Sequence, residues 1–178
     1  MVDHANWLGV QRGAAPAESL VFDSTPRYIF DNRSLGEYVH TDVLFQAYFN
    51  AALILLSLGP DAQDPNNPYL GSANQGAFTS LGGPWVLQLL TYASNLALSG
   101  AWFHKWRVHR RLRPEAYSGR VHFNMTGDRN YEIHSDILNS AAVSETFSRN
   151  GTYFLPMGFT EGSPTHPAYP AGHATIAG

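Results

Sequence analysis

The chain has 178 residues, of which only 14% are charged, no cysteine and a formal net charge of −3. Its length suits one ordinary domain, and the lack of cysteine excludes disulfides, thiolate metal sites and cysteine nucleophiles. The slightly acidic balance argues against a nucleic-acid-binding protein. The longest apolar run, 51–56, is too short to span a membrane, and no secretory signal is visible, so the compartment stays open.

The charged fraction is well below the usual ~25%. A surface this poor in charge is expected to be buried against something else. We therefore expect either a homo-oligomer or one piece of a longer protein.

The first elements in chain order are an arm and a helix. Residues 1–33 are rich in Gly, Pro, Ala and Ser without a sustained period, which predicts an irregular N-terminal arm. Ser34 and Glu37 have the spacing of a capping box. Apolar residues then recur at helical spacing until a glycine–proline pair at 59–60 stops the helix.

Two further helices complete the predicted domain, which spans 34–178. A glycine–proline pair at 83–84 opens the second helix, which continues to Arg113 because the residue before a proline avoids helical dihedrals. A third helix is predicted over 131–149 and closed by an Asn-Gly pair. The segments 60–83 and 152–171 read as loops. No strand pattern is convincing, so the predicted fold is mainly α.

Two cations at the end of the second helix form the first candidate motif. On a regular helix Lys105 and Arg113 would lie ~12 Å apart along the axis and ~80° apart around it, so two long side chains can converge on one anion. The guanidinium offers bidentate bonds and the ammonium a compact charge. The structural alternative is that these cations only compensate the helix dipole. We assign a surface or interface role to the remaining arginines of the run, Arg107, Arg110 and Arg111.

A proline-rich turn near the end of the chain forms the second motif. Ala171, Gly172 and His173 lead into small residues, so free backbone N–H groups at a helix start would meet an imidazole. Alone, such a turn is as often an ordinary cap. His166 lies between prolines and could reach the same pocket. Spacing favours no zinc site, and we interpret the other histidines outside the motifs as structural: His4, His40, His109, His122 and His134.

The two motifs together resemble the vanadium-dependent haloperoxidases, most closely the bromoperoxidases of red algae and their cyanobacterial and bacterial relatives. The resemblance is carried by 105–115 and 163–175, with shorter matches at 27–30, 37–40 and 151–156. It implies a helical bundle of the haloperoxidase and acid phosphatase type, incomplete in this chain, and often assembled into large oligomers. It also implies that bound vanadate and hydrogen peroxide oxidise bromide or iodide to a hypohalous-acid equivalent, which halogenates organic molecules.

The resemblance assigns roles to individual residues. It implies that Lys105 and Arg113 bond vanadate oxygens, that Lys105 also polarises peroxide, and that Gly172 donates its backbone N–H. His173 would be the acid–base residue, because imidazole titrates near neutrality. His166 would lie in the surrounding shell, and His104 is a candidate for the halide pocket because it precedes the lysine.

One departure from the family pattern lies within the second motif. Ala171 stands where many members have a serine whose hydroxyl bonds a vanadate oxygen. The missing hydroxyl predicts weaker vanadate affinity or altered halide preference.

A second departure concerns the metal ligand. The third family motif, an Arg followed by Gly-x-His that supplies the only protein–vanadium bond, is absent from these residues. The axial histidine is expected downstream of Gly178, so no metal ligand is assigned within the chain. We therefore interpret the chain as an internal fragment that turns over little by itself. Structural calcium, present in red-algal members, is not assigned because 61–75 has only two acidic residues.

Two alternatives stay open at this point. Acid phosphatases hold phosphate with the same constellation and hydrolyse phosphoesters through a phospho-histidine. A non-enzymatic helical domain would use the basic run and the aromatic residues in an oligomer interface.

Overall fold

The computed structural model describes residues 3–17, 21–157, 159 and 162–178. This part of the chain is helical and contains no strand, so the prediction of a mainly α fold is confirmed. None of its helices is both long and apolar enough to cross a bilayer. A 3₁₀ turn covers Pro60–Ala62 and a π-helical turn covers His104–His109. The α-helices of the described part are α1 (His4–Gln11), α2 (Asn32–His40), α3 (Gln46–Ser57), α4 (Gly83–Phe103), α5 (Pro114–Met125), α6 (Ser135–Leu138), α7 (Ala141–Asn150) and α8 (Gly172–Ala177).

The chain divides into two compact units. The first unit consists of 1–26 and 105–169 and holds α1, α5, α6 and α7. The second consists of 27–104 and 170–178 and holds α2, α3, α4 and α8. The polypeptide therefore passes from the second unit to the first directly before Lys105, and back directly after Tyr169.

Aromatic rings around Phe154 form the core of the first unit. The Phe154 side chain is fully buried, and the His122 ring of α5 stacks on it with the ring centroids 4.1 Å apart. Trp7 of α1 packs on the same ring at 5.1 Å. A Cβ atom at Gly119 would lie only 2.7 Å from the Trp7 indole. Helix α1 therefore packs against α5 through the Trp7 side chain, which has room only because position 119 is a glycine.

His122 makes the stability of this core depend on pH. Burial, and secondarily the charge of His4, lowers the pKa of His122 below its ordinary value of 6.5, and its Nδ1 accepts a hydrogen bond from the Tyr153 N–H at 3.3 Å. Below pH 6.5 the unfolded chain therefore binds more protons at this position than the folded chain does. The free energy of unfolding is expected to fall as the pH drops from 6.5 towards the lower pKa of the folded state.

The measurement is the melting temperature between pH 7.5 and 5.5. The variant His122→Gln keeps an acceptor for the Tyr153 N–H but cannot titrate, so it should flatten this slope. The exposed His134 gives the control variant His134→Gln, which should leave the slope unchanged. Equal slopes in the wild-type protein and His122→Gln would contradict the prediction.

Helix α4 is the central helix of the second unit and packs against both α3 and α8. It begins at Gly83 with Pro84 in its first turn, where a proline costs no hydrogen bond. Helix α8 comes close to its neighbours because its first residue is a glycine. A Cβ atom at Gly172 would lie 2.8 Å from Leu44 Cδ2 and 3.4 Å from Leu98 Cδ1. This close packing fixes the position of the glycine–histidine turn.

Three expectations for the first half of the chain are wrong. The segment 1–33 is not irregular throughout, because His4–Gln11 form α1 with Asp3 as its N-cap. Helix α2 is capped by Asp31, whose Oδ1 accepts the Ser34 N–H at 2.7 Å, and not by Ser34. The single helix expected after it is two helices, since α2 ends at His40 and α3 begins at Gln46. Residues 1, 2 and 18–20 of the predicted arm lie outside the described residues.

The second half departs from prediction at three places. Helix α4 ends at Phe103 rather than continuing to Arg113, because the chain enters a π-turn that closes with Arg110 at a φ of 43°. Helix α5 was not predicted, since Pro114 was treated as a stop although proline also suits a first helical turn. The third predicted helix is present only as α6 and α7, and its predicted end is confirmed by the left-handed Gly151. Residues 158, 160 and 161 of the predicted loop 152–171 lie outside the described residues.

Candidate functional site

Lys105 is a buried cation in the π-turn of the first unit, with 3% of its surface exposed. Its Nζ donates a hydrogen bond to the Pro167 carbonyl oxygen at 2.8 Å and lies 3.3 Å from His166 Nδ1. Burial, and then the positive charge of Arg113, lowers the pKa of the Lys105 ammonium below its ordinary value. None of the described carboxylates lies within ion-pair distance of it. An anion at this place would favour the charged form of the lysine.

Arg113 lies at the other end of the same segment, as the N-cap of α5. Its backbone is extended, with φ −63° and ψ 148°, because Pro114 follows it. Its Nε is buried, has no hydrogen-bond partner among the described residues and lies 3.9 Å from Glu115 Oε2. The same Glu115 oxygen accepts a hydrogen bond from Ser163 Oγ at 3.0 Å. The guanidinium therefore keeps donors for a ligand.

Next to these features lies a cavity of about 360 Å³ in the first unit, whose lining includes Arg113 and His166 but not Lys105. It lies between two segments that we call the basic turn (105–113) and the proline loop (163–168). Their backbones are joined where the Ala168 N–H donates to the Arg111 carbonyl at 3.0 Å. Arg110 and Arg111, expected to be surface or interface residues, line this cavity together with Arg113, Trp106 and His166. The lining is rich in cations, which suits a small anion.

The geometry of the basic turn differs from the one assumed from sequence. Lys105 and Arg113 do not share a regular helix, because the π-turn and the left-handed Arg110 separate them. The separation along a helix axis calculated from sequence does not apply. Both residues nevertheless lie in the first unit with His166, and the Lys105 ammonium contacts His166 directly.

The second unit carries the glycine–histidine turn. Helix α8 begins at Gly172 with Ala171 as its N-cap, so the predicted helix start is confirmed. His173 Nε2 lies 3.0 and 3.2 Å from the two carboxylate oxygens of Asp42, and the Asp42 side chain is 4% exposed. A carboxylate only accepts hydrogen bonds, so His173 donates its Nε2–H to Asp42.

Sequence reasoning did not find Asp42. It precedes its histidine by 131 positions and lies in the short break between α2 and α3. The sequence analysis predicted one continuous helix through that break. A single acidic residue there forms no motif that would indicate a functional role. Only the fold of the second unit brings the two side chains together.

The other candidates of the second unit stand as follows. Ala171 is exposed, and α8 has no side-chain cap, so the first N–H groups of α8 have no partner within the helix. His104 ends α4 with its ring edge-on to Phe103 at 5.8 Å between centroids. A role for His104 in a halide pocket stays a prediction, as does a shared site for the residues of the two units.

Gly178 is the C-cap of α8, and its N–H donates to the Ala174 carbonyl at 3.3 Å. The family resemblance implies an axial vanadium ligand downstream of Gly178, beyond the residues that the structure describes. The structure therefore does not test that ligand, and its position downstream of Gly178 stays a prediction.

The donor groups fit an oxyanion better than a directly liganded cation. In the first unit they comprise a buried ammonium and a guanidinium with an unused Nε. Within residues 3–17, 21–157, 159 and 162–178 no group of three or more His, Asp or Glu side chains is arranged to hold a metal ion. The described part of the chain is thus that of a mainly α protein whose first unit holds a cavity lined by cations.

Comparison with known proteins finds three vanadium-dependent bromoperoxidases that are similar to the chain. The whole chain is 35% identical to a vanadium-dependent bromoperoxidase of Ascophyllum nodosum, 36% to that of Corallina pilulifera and 34% to that of Corallina officinalis. It spans 34%, 33% and 33% of their lengths, about one third. No family model matches the sequence. The predicted resemblance is thus confirmed: the chain is similar over its full length to about one third of the length of each of these three bromoperoxidases.

Proposed function

We propose that this protein uses bound vanadate to oxidise bromide or iodide with hydrogen peroxide. Halide, hydrogen peroxide and one proton give hypohalous acid and water, and the hypohalous acid then halogenates small organic acceptors. The observation that carries the proposal is the buried Lys105 ammonium, held by the proline loop beside a cavity lined by guanidinium groups. A buried cation without a carboxylate partner is costly unless a ligand uses it.

The residues present would hold vanadate by charge and hydrogen bonds. Lys105 and Arg113 would each bond its oxygens through charge-assisted hydrogen bonds, and Gly172 would donate its backbone N–H. When bound, vanadate supplies a Lewis acid that polarises the O–O bond of hydrogen peroxide without a change in metal oxidation state.

His173 would move the proton of this reaction. Asp42 keeps the Nε2 proton in place, so Nδ1 takes a proton from hydrogen peroxide and later returns one to the oxygen that leaves as water. The buried carboxylate also stabilises the imidazolium formed in between. His166 and His104 are proposed as members of the surrounding shell.

The active protein is proposed to need more than these residues. The bromoperoxidases that the chain matches are about three times as long, and the axial histidine implied by the family, expected downstream of Gly178, is not among the 178 residues. We therefore expect the chain by itself to bind vanadate weakly and to oxidise bromide slowly or not at all. A homo-oligomer also stays a proposal, in keeping with the exposed apolar side chains of α3 and α4, among them Ile54, Leu55, Tyr92 and Leu96.

The test compares binding and turnover. Orthovanadate binding is measured by calorimetry on the 178-residue chain, and bromination of a phenol is measured with and without vanadate on a protein of the relatives' length that contains it. Vanadate-dependent bromination supports the proposal. Hydrolysis of an aryl phosphate without any bromination would favour the phosphatase alternative, and indifference of both proteins to vanadate would favour the non-enzymatic one.

Restoring the family hydroxyl in the variant Ala171→Ser is expected to lower the dissociation constant of orthovanadate. The added hydroxyl can bond a vanadate oxygen, a gain of about 0.5–1.5 kcal/mol. Serine is also a better N-cap than alanine, so α8 should gain about 1 kcal/mol of stability in the free protein. Calorimetry and thermal melting measure the two effects separately. A rise in melting temperature without tighter vanadate binding would contradict a role for position 171 at the anion.

A further inference from the structure

The proline loop is fastened to the basic turn and the start of α5 at three points in the first unit. The Pro167 carbonyl accepts from Lys105 Nζ at 2.8 Å, the Ala168 N–H donates to the Arg111 carbonyl at 3.0 Å, and Ser163 Oγ donates to Glu115 at 3.0 Å. Of these three hydrogen bonds, the one between Ser163 and Glu115 joins two side chains. The Glu115 carboxylate also faces the guanidinium of Arg113.

Glu115 lies outside the cavity lining but next to it. The lining includes Arg113 and Ser163, the two residues that the Glu115 carboxylate joins. About a fifth of the Glu115 side chain and a quarter of the Arg113 side chain are exposed. The pair is thus mostly withdrawn from water, where ionic contacts orient side chains more strongly than at the surface.

We propose that Glu115 is a positioning residue for the oxyanion site, acting through Arg113. Its carboxylate attracts the Nε edge of the guanidinium and so turns the two terminal nitrogens towards the ligand. Through Ser163 the same carboxylate anchors the loop whose Pro167 carbonyl holds Lys105. Glu115 therefore positions both Arg113 and Lys105. This role rests on the proposed function of the site.

The sign of its effect separates positioning from simple charge. A carboxylate near an anion site repels the anion, so by charge alone its removal should tighten anion binding. If Glu115 orients Arg113, its removal should weaken binding although the site becomes more positive. The purely structural alternative is that Glu115 only stabilises the first turn of α5 through the helix dipole. It predicts that removing the carboxylate lowers the free energy of unfolding without weakening anion binding.

The first experiment uses the protein without ligand. The exchange of the Arg113 Nε–H with water is measured by NMR, with the exposed Arg149 as internal reference. The Arg113 Nε–H is buried 3.9 Å from Glu115 Oε2 without a hydrogen bond to it, so the orientation of the guanidinium sets its access to water. Its proton should exchange more slowly than that of Arg149 in the wild-type protein, and faster in Glu115→Ala, where the Nε edge can turn towards water. Unchanged exchange in Glu115→Ala and in the milder Glu115→Gln would overturn the proposal, whatever vanadate does.

The second experiment measures orthovanadate binding in a protein of the relatives' length that contains this chain. Glu115→Gln keeps an acceptor for Ser163 but loses the charge, and should raise the dissociation constant about fivefold. Its matched control is Glu145→Gln, which removes a carboxylate paired with an arginine at 3.2 Å on the exposed face of α7 and should leave binding unchanged. In an Arg113→Lys background, which lacks the Nε edge, Glu115→Gln should have no further effect.

The outcomes are distinct. Tighter binding in Glu115→Gln, or the same weakening in both backgrounds, would overturn the positioning role. If orthovanadate binds neither wild-type protein nor variants, the proposed function fails, and the exchange of the Arg113 Nε–H still decides whether Glu115 orients the guanidinium.

Discussion

Replacing Lys105 with methionine is expected to raise the dissociation constant of orthovanadate by about two orders of magnitude and to leave the protein folded. The loss of binding follows because a buried charge that faces an anion contributes about 2–5 kcal/mol when its partner depends on it. Stability should change by no more than about 1 kcal/mol. Methionine removes a cation that burial disfavours, and this gain offsets the unpaired Pro167 carbonyl that remains.

The measurement joins calorimetry with thermal melting. The variant Arg149→Met, which removes an exposed cation of α7, is the control and should alter neither property. Retained vanadate binding in Lys105→Met would contradict the site, and a collapse of stability would show that the ammonium serves the fold instead.

Lys105 can also be observed directly because it is the only lysine in the chain. Methylation with isotope-labelled formaldehyde gives its amine an NMR signal separate from that of the terminal amine. The pKa of Lys105 should be below the ordinary value in the free protein and should rise when orthovanadate binds, since an anion favours the ammonium. As the pH rises through the lowered pKa, the charged form is lost and vanadate affinity should fall with it.

The sequence predicted the parts of this molecule that depend on local chemistry. Proline at position 84 opened α4, the left-handed Gly151 closed α7, and the turn before Gly172 opened α8. Each of these follows from one or two residues whose backbone preference is strong. The motif residues Lys105 and Arg113 lie in one compact unit, and their joint role at an anion stays a prediction.

The parts that failed depend on tertiary contacts. Periodicity cannot show that α4 passes into a π-turn at His104, because the apolar pattern runs on through Trp106 and Val108. Nor does periodicity reveal that Asp31 caps α2, because the capping-box spacing of Ser34 and Glu37 predicts a cap at Ser34 instead. The aromatic cluster that seats α1 against α5 requires Gly119 to face Trp7. Sequence spacing alone carries no information on such a contact.

In a protein of the relatives' length that contains this chain, the variant Asp42→Asn is expected to lower the rate of bromide oxidation by about 10²–10⁴-fold, with little change in vanadate affinity. Asparagine has the same shape, but its amide can donate to His173 Nε2, where the carboxylate could only accept. The proton would then move to Nδ1, and the nitrogen proposed to exchange protons would lose its basicity. General acid–base catalysis by a positioned histidine contributes about 10²–10⁴-fold, which sets the size of the loss.

The tautomer itself gives a readout that does not depend on turnover. ¹⁵N NMR of His173 should show the Nε2–H form in the wild-type protein and lose this preference in Asp42→Asn. The matched control is Asp136→Asn, beside the exposed His134 at 3.5 Å, which should change neither rate nor the His173 signals. A lowered rate with an unchanged tautomer would mean that Asp42 acts by its charge alone. An unchanged rate with a reversed tautomer would remove His173 from the proposed proton transfer, because a base whose lone pair is turned away cannot take the proton.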